Sequence, residues 1–357
     1  MYHMHMSQNM GHIGLVNLGN TCYLNSLLQC LRHIPDLTVF FHKHSEPWIH
    51  KEESKEVELC NAYKTLLTDM WSSVPPGCLR PAGFIHYFRE VAKKDPRFEH
   101  LSSGGQQDAQ EALIFLLDML HESMKKPLNI NVMAEPVSPF YGALMAWKER
   151  VAPKYSPIVD YFFGLMEVTV TCKGCGYQSC KYEEFSELIL EFPENKDATL
   201  VECMNKQFEG ELIDEYQCNK CSPDPPKGSG SPKPTRHPGV IQRRFWRLPQ
   251  NLNIMLKRFN SNGSKCNANF TSEVEQSFTP WFSEKSPEVS KVAKYGVHSI
   301  VDHHGLAGGG HYVAQVRSPT TGQWNIYDDQ SVGMIGDGKK PIFGRSNYIL
   351  FFRKIKS

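Results

Sequence analysis

The sequence predicts an α+β fold, with helices first and a mainly antiparallel sheet after them, and three observations carry that prediction. Apolar residues recur at helical spacing through roughly the first 125 positions. From Phe162 onward, alternating and β-branched runs replace them. Between these regions, over 127–157, prolines interrupt a less regular stretch.

The first helix follows from Leu24, Leu27, Leu28 and Leu31, which recur behind the turn Gly19, Asn20, Thr21 and start a helix at or just after Cys22. The same periodicity predicts helices over 56–71, 81–93 and 109–124. MEVTVTC and ELILEF read as strands, as do LNIMLKRF, GVHSIV, HYVAQVR, WNIYDD and NYILFFRK, each bounded by glycine-rich or polar turns. Residues 222–239, SPDPPKGSGSPKPTRHPG, bury little apolar surface and are expected to form a flexible loop.

Composition narrows the function classes. A chain of 357 residues has ample length for a core, as one large domain or two to three units. Its 39 basic and 38 acidic residues build no broad field for nucleic acid or a membrane surface. No apolar run nears the ~20 residues of a membrane span, and MYHMHMSQNM lacks the features of a secretory signal. The expectation is a soluble chain in the cytoplasm, the nucleus or both. Eleven cysteines, an odd number with four in CxxC pairs, point to a reducing compartment in which some do chemistry or bind metal.

Cys22 stands where a glycine-containing turn enters a helix, so unpaired backbone N–H groups face its sulfur and favour thiolate. Asn17, five positions upstream, offers an amide donor to an oxyanion formed beside that sulfur. Cys30, deeper in the same helix, reads as core. His311 opens the strand HYVAQVR behind Gly308, Gly309 and Gly310. Pairing Arg317 with Gly322 across a four-residue loop puts Gln315 opposite Trp324, Val313 opposite Ile326 and His311 opposite Asp328. That carboxylate can then accept the imidazole N–H and fix its tautomer. Asp329 points away in this register but stays a second candidate, because a changed loop count moves the pairing. Cys172 with Cys175, and Cys218 with Cys221, form two CxxC turns whose four thiolates suit one closed, structural zinc site. Cys180 and Cys203 have no such partner, and Trp324 reads as sheet packing.

Together these residues resemble the ubiquitin-specific protease family, over nearly the whole chain. GLVNLGNTCYLNSLLQCL (14–31) is similar to the family's cysteine box and GGGHYVAQVRSPTTGQWNIYDDQSV (308–332) to its histidine box. GGQQDAQEALIFLLDML (104–120) is similar to its glutamine and aspartate motif, with Ala112 where the family usually carries phenylalanine. The resemblance implies a papain-like cysteine peptidase fold of helical thumb (about 11–125), zinc-bearing β fingers (about 160–222 with 240–260) and β-rich palm within a catalytic domain over 11–355. It implies a monomeric thiol peptidase, a cysteine-type ubiquitin C-terminal hydrolase, with Cys22 as nucleophile, His311 as base, Asp328 as third member, Asn17 at the oxyanion and a further influence from Asp329. Gln107, Asp108, Gly309, Gly310 and Tyr312 would contact the ubiquitin tail. For Asp108, helix capping is the competing reading, since Glu111 follows three residues later. Ubiquitin and ubiquitinated proteins are the expected partners, and one zinc ion the only cofactor.

Overall fold

The structure, a computed structural model, describes residues 12–72, 77–135, 138–223, 235–289, 293–306 and 308–355. The four predicted helices are present as Cys22–Arg32, Lys55–Met70, Ala82–Ala92 and Ala109–Glu122. The Lys55–Met70 helix is capped by Ser54, whose side chain accepts from the Val57 N–H. Every residue of the Cys22–Arg32 helix is buried, its polar ones included, with the strand Gly309–Arg317 and the Ala109–Glu122 helix as main neighbours.

The larger sheet has eight strands. From one edge they run Ser331–Met334, Trp324–Asp328, Gly309–Arg317, Lys294–Leu306, Asn347–Lys354, Asn251–Leu256 and Leu188–Leu190, with Glu275–Ser277 pairing separately to Lys294–Leu306. All pairs are antiparallel except that of Leu188–Leu190 with Asn251–Leu256. Alternation along the Asn347–Lys354 strand splits its side chains between two cores. Ile349 and Phe351 join the cluster that holds the helices, and Leu350 and Phe352 the cluster on the other face. Burial on both faces explains the uninterrupted apolar run YILFF. Trp324 is fully buried in the second cluster, as its packing role requires. Cys30 is equally buried among the helices.

A second, four-stranded antiparallel sheet runs Gln178–Phe185, Gly164–Cys172, His237–Arg247, Glu211–Tyr216. It carries both CxxC turns. Two expected boundaries change here. Asn251–Leu256 belongs to the larger sheet rather than to the fingers. Pro249, which has no N–H to donate, stands between this strand and His237–Arg247. His237, Pro238 and Gly239 lie in a strand rather than the expected flexible loop, whose central residues 224–234 are outside the described residues.

The irregular stretch after 127 contains helices Pro139–Val151 and Pro157–Phe162, each opened by Ser-Pro. Proline at the first helical position costs nothing because its missing N–H would be unpaired there, so these prolines start helices. Leu200–Gln207 opens with a capping box from Thr199 and Glu202. Among the described residues no helix is long and apolar enough to cross a membrane.

Candidate active site

Cys22 is the first residue of its helix and is 5% exposed. Thr21, at the cap position, gives its hydroxyl to the preceding turn instead of to the helix: Oγ1 accepts from the Leu18 N–H and donates to Asn17 Oδ1. The N–H groups of the first turn are therefore left facing the sulfur, and those of Tyr23 and of Cys22 itself act to lower its thiol. The backbone of Tyr312, the residue after His311, also acts to lower the thiol, so the histidine's strand passes beside Cys22. Burial outweighs these donors. It raises the Cys22 thiol above its usual range, and the nearby Asp329 charge adds to the rise, opposing the thiolate that the helix start favours.

His311 Nε2 and Asp328 Oδ1 are 2.6 Å apart, with both side chains about half exposed. The hairpin register that brings them together is not the expected one. Arg317 faces Trp324, Gln315 faces Ile326 and Ala314 faces Tyr327, a slip of two residues, because the loop spans 318–323. Within it the Gly322 N–H donates to the Ser318 carbonyl at 2.8 Å and Gly322 takes a φ of +74°. A slip of two keeps every side chain on its face, since strand side chains repeat with period two. His311 and Asp328 thus become diagonal rather than direct neighbours, still within reach of a long side chain.

Asp329 corrects a second expectation. Its φ of +48° breaks the strand alternation, and its carboxylate turns back toward the site, within 4.8 Å of the His311 and Asp328 polar atoms. There Oδ2 accepts from Asn17 Nδ2 at 2.8 Å and Oδ1 from Asn25 Nδ2 at 2.7 Å, while its backbone carbonyl accepts from the Leu15 N–H. Asn17 Oδ1 is held in turn by the N–H groups of Gly19 and Thr21. The Asn17 amide is thereby fixed from both ends, its oxygen by backbone N–H groups and its nitrogen by Asp329.

Asn25 was not singled out in the sequence. A buried amide needs a partner, and its place among the leucines of this helix was the available signal. Tyr348 was missed for a different reason: it reads as part of an apolar strand, yet its hydroxyl donates to Asp108 at 2.7 and 2.9 Å. Asp108 also caps the Ala109–Glu122 helix, Oδ1 accepting from the N–H groups of Gln110 and Glu111, so the capping reading holds. Burial raises its carboxyl above the usual range. Gln107 Nε2 donates to His100 O and Ser103 Oγ within its own loop. The Tyr312 ring is 6% exposed and packs 4.6 Å from the His303 ring, so its side chain belongs to the core and only its backbone reaches the cleft. Gly310 lies so close to the His303 ring and the His304 carbonyl that any side chain would collide with them, whereas Gly309 faces open space. Ala112 is fully buried in the helical core.

Comparison with known proteins decides the lineage. The family model described as ubiquitin carboxyl-terminal hydrolase matches residues 13–352. The chain belongs to this family. Among its relatives, human ubiquitin carboxyl-terminal hydrolase 2 is 28% identical over 367 residues, covering 98% of this chain and 56% of the relative. Ubiquitin carboxyl-terminal hydrolase 5 of Saccharomyces cerevisiae is 27% identical over 375 residues, covering 96% of this chain and 45% of the relative. The chain therefore spans about half the length of these curated relatives. In solved structures the same fold occurs in the SAGA Ubp8/Sgf11/Sus1/Sgf73 DUB module bound to ubiquitin aldehyde, with a TM-score of 0.72, 24% identity, and coverage of 99% of this chain and 72% of that one.

The ubiquitin carboxyl-terminal hydrolase fold here also brings the four finger cysteines together, their sulfurs all within 4.8 Å of one another. Cys172 and Cys221 sulfurs are 3.8 Å apart and those of Cys175 and Cys218 3.6 Å. Four thiolates at the usual Zn–S length define tetrahedral edges of about 3.8 Å. The cluster can hold a metal ion with no coordination position left for chemistry.

Proposed function

We propose that this chain is a deubiquitinase, hydrolysing the isopeptide or peptide bond after the C-terminal glycine of ubiquitin. The observation that supports the reading is the 2.6 Å pairing of the His311 ring with Asp328, on a strand whose next residue, Tyr312, has its backbone beside the Cys22 sulfur at an uncapped helix start.

With Nε2 engaged by Asp328, Nδ1 is the His311 nitrogen available to take the Cys22 proton. The thiolate attacks the glycine carbonyl, and the oxyanion accepts from Asn17 Nδ2 and the Cys22 backbone N–H. His311 returns its proton to the leaving amine, then deprotonates the water that hydrolyses the thioester and frees ubiquitin. Asp328 fixes the ring's tautomer, and Asp329 keeps the Asn17 amide aimed. Asp108, with both oxygens occupied by Tyr348 and the helix start, shapes the cleft wall and has acceptor capacity left for a tail amide. Zinc suits the four finger cysteines by ligand type and sulfur spacing; when bound it holds two loops of the smaller sheet together.

The test is hydrolysis of ubiquitin carrying a fluorogenic C-terminal amide, beside the same reporter on other ubiquitin-like modifiers. Turnover of the ubiquitin reporter that disappears in Cys22→Ala is expected. Turnover of only another modifier, or tight ubiquitin binding without turnover, would contradict the proposal.

A further inference from the structure

The strand that carries His311 is paired on one edge from Gly309 to Val316 and on the other over a shorter stretch. Its ladder with Lys294–Leu306 reaches back to Gly309, but its ladder with Trp324–Asp328 starts at Ala314. Backbone N–H groups of alternate residues leave a strand from the same edge, so Gly310 and Tyr312 present theirs beside the open end of the second ladder. The Tyr312 backbone lies close enough to the Cys22 sulfur to act on its thiol. Gly310 gives its N–H to Gln106 Oε1 at 2.8 Å.

An exposed strand edge is where an extended peptide adds itself by backbone pairing. A chain lying on this edge with its scissile carbonyl at Cys22 would set an earlier carbonyl on the Gly310 N–H, one strand repeat or about 6.8 Å back. Gln106 Oε1 holds that place. A side-chain amide oxygen is chemically the same acceptor as a peptide carbonyl, so exchanging one for the other costs little.

The loop bearing Gln106 is secured without this contact. Asn20 Nδ2 donates to the Gly104 carbonyl at 2.9 Å, Gln107 is bonded within the loop, and Asp108 caps the next helix. Gln106 itself is exposed, free to swing away once displaced. Its bond nevertheless joins the loop beside the nucleophile's turn to the strand beside the base, across the approach to Cys22.

We propose that Gln106 is a displaceable latch: in the free protein it occupies the Gly310 N–H, and a glycine-ended substrate tail must exchange its own carbonyl for the Gln106 oxygen to enter. The proposal rests on the deubiquitinase reading for its substrate. Gln106 is a positioning residue in this scheme, and its loss speeds entry.

Kinetics with the ubiquitin reporter test it. Gln106→Ala raises kcat/KM about 3- to 10-fold, through KM, the scale of one hydrogen bond no longer in competition. Gln106→Glu, a stronger acceptor for the same N–H, lowers it by a similar factor. Hydrogen exchange without substrate gives an independent reading: the Gly310 amide is protected in the wild type and exchanges faster in Gln106→Ala. A Gln106→Ala protein that is unchanged or slower in turnover, or equal Gly310 exchange in the two proteins, would overturn the latch. Wild-type protein inert toward every ubiquitin reporter would instead contradict the parent reading, a distinguishable failure.

Discussion

Asp329 holds Asn17 by a 2.8 Å hydrogen bond from the asparagine Nδ2 to the carboxylate Oδ2, tying two residues 312 positions apart in sequence. The adjacent Asp328 holds His311. Successive acids thus hold the two halves of the candidate site, one the proposed oxyanion donor and the other the proposed base, because the left-handed backbone at Asp329 turns neighbouring side chains toward the same cleft.

Substituting Asp329 separates thiol acidity from turnover. The Asp329 charge contributes to raising the Cys22 thiol, so Asp329→Asn lowers the thiol pKa. The same change loosens Asn17, and losing a charge-assisted bond there costs roughly 1.5–3 kcal/mol of oxyanion alignment, or about 10- to 100-fold in kcat. Alkylation rate against pH, measured beside reporter turnover, should show a more acidic cysteine in a slower enzyme.

Asp328→Asn leaves a ring partner of similar shape but removes the carboxylate that selects the His311 tautomer. Turnover is expected to fall by about 100-fold or more while ubiquitin affinity, measured in a Cys22→Ala background, changes by less than about 3-fold. Equal losses in both quantities would show that Asp328 acts on binding.

Much of this arrangement was legible in the sequence because its parts are local. Helix periodicity located the Cys22–Arg32 helix to within a residue, and glycines before an alternating run located the His311 strand. The hairpin register was not legible, since it depends on how the 318–323 loop closes, and the side-chain period of two preserved the His311 and Asp328 pairing despite the slip. Long-range polar contacts were hidden for another reason. Nothing near Asn25, Tyr348 or Gln106 in sequence names Asp329, Asp108 or Gly310 as the partner.

A pH-dependent stability arises at Glu187, half-buried beside Asp108 and bonded by Gln110 Nε2 at 2.7 Å. Burial pushes its carboxyl up to about 7, opposed by the Gln110 bond and reinforced by the Asp108 charge. The folded state then holds a proton that the unfolded state has released between its ordinary pKa of 4.5 and about 7, so this group's contribution to stability falls as pH rises through that window and levels off above it. Glu187→Gln keeps an acceptor for Gln110 and removes the titration. Unfolding free energies from pH 5 to 8 should show the variant gaining on the wild type by about 2–3 kcal/mol over the interval.

Cys218→Ser removes one of the four sulfurs that suit zinc. The variant is expected to bind less than about one tenth of the wild-type zinc and to unfold at lower temperature, with chelator causing the same shift in wild type. Unchanged metal content and melting would contradict a metal role for the cluster.

Intact-mass analysis after exposure to ubiquitin bearing a C-terminal electrophile tests the central claim most directly. The account predicts one added ubiquitin, mapped by peptide fragmentation to Cys22, with none in Cys22→Ala and slowed addition in His311→Ala. An adduct on another cysteine, with Cys22 unmodified, would contradict it.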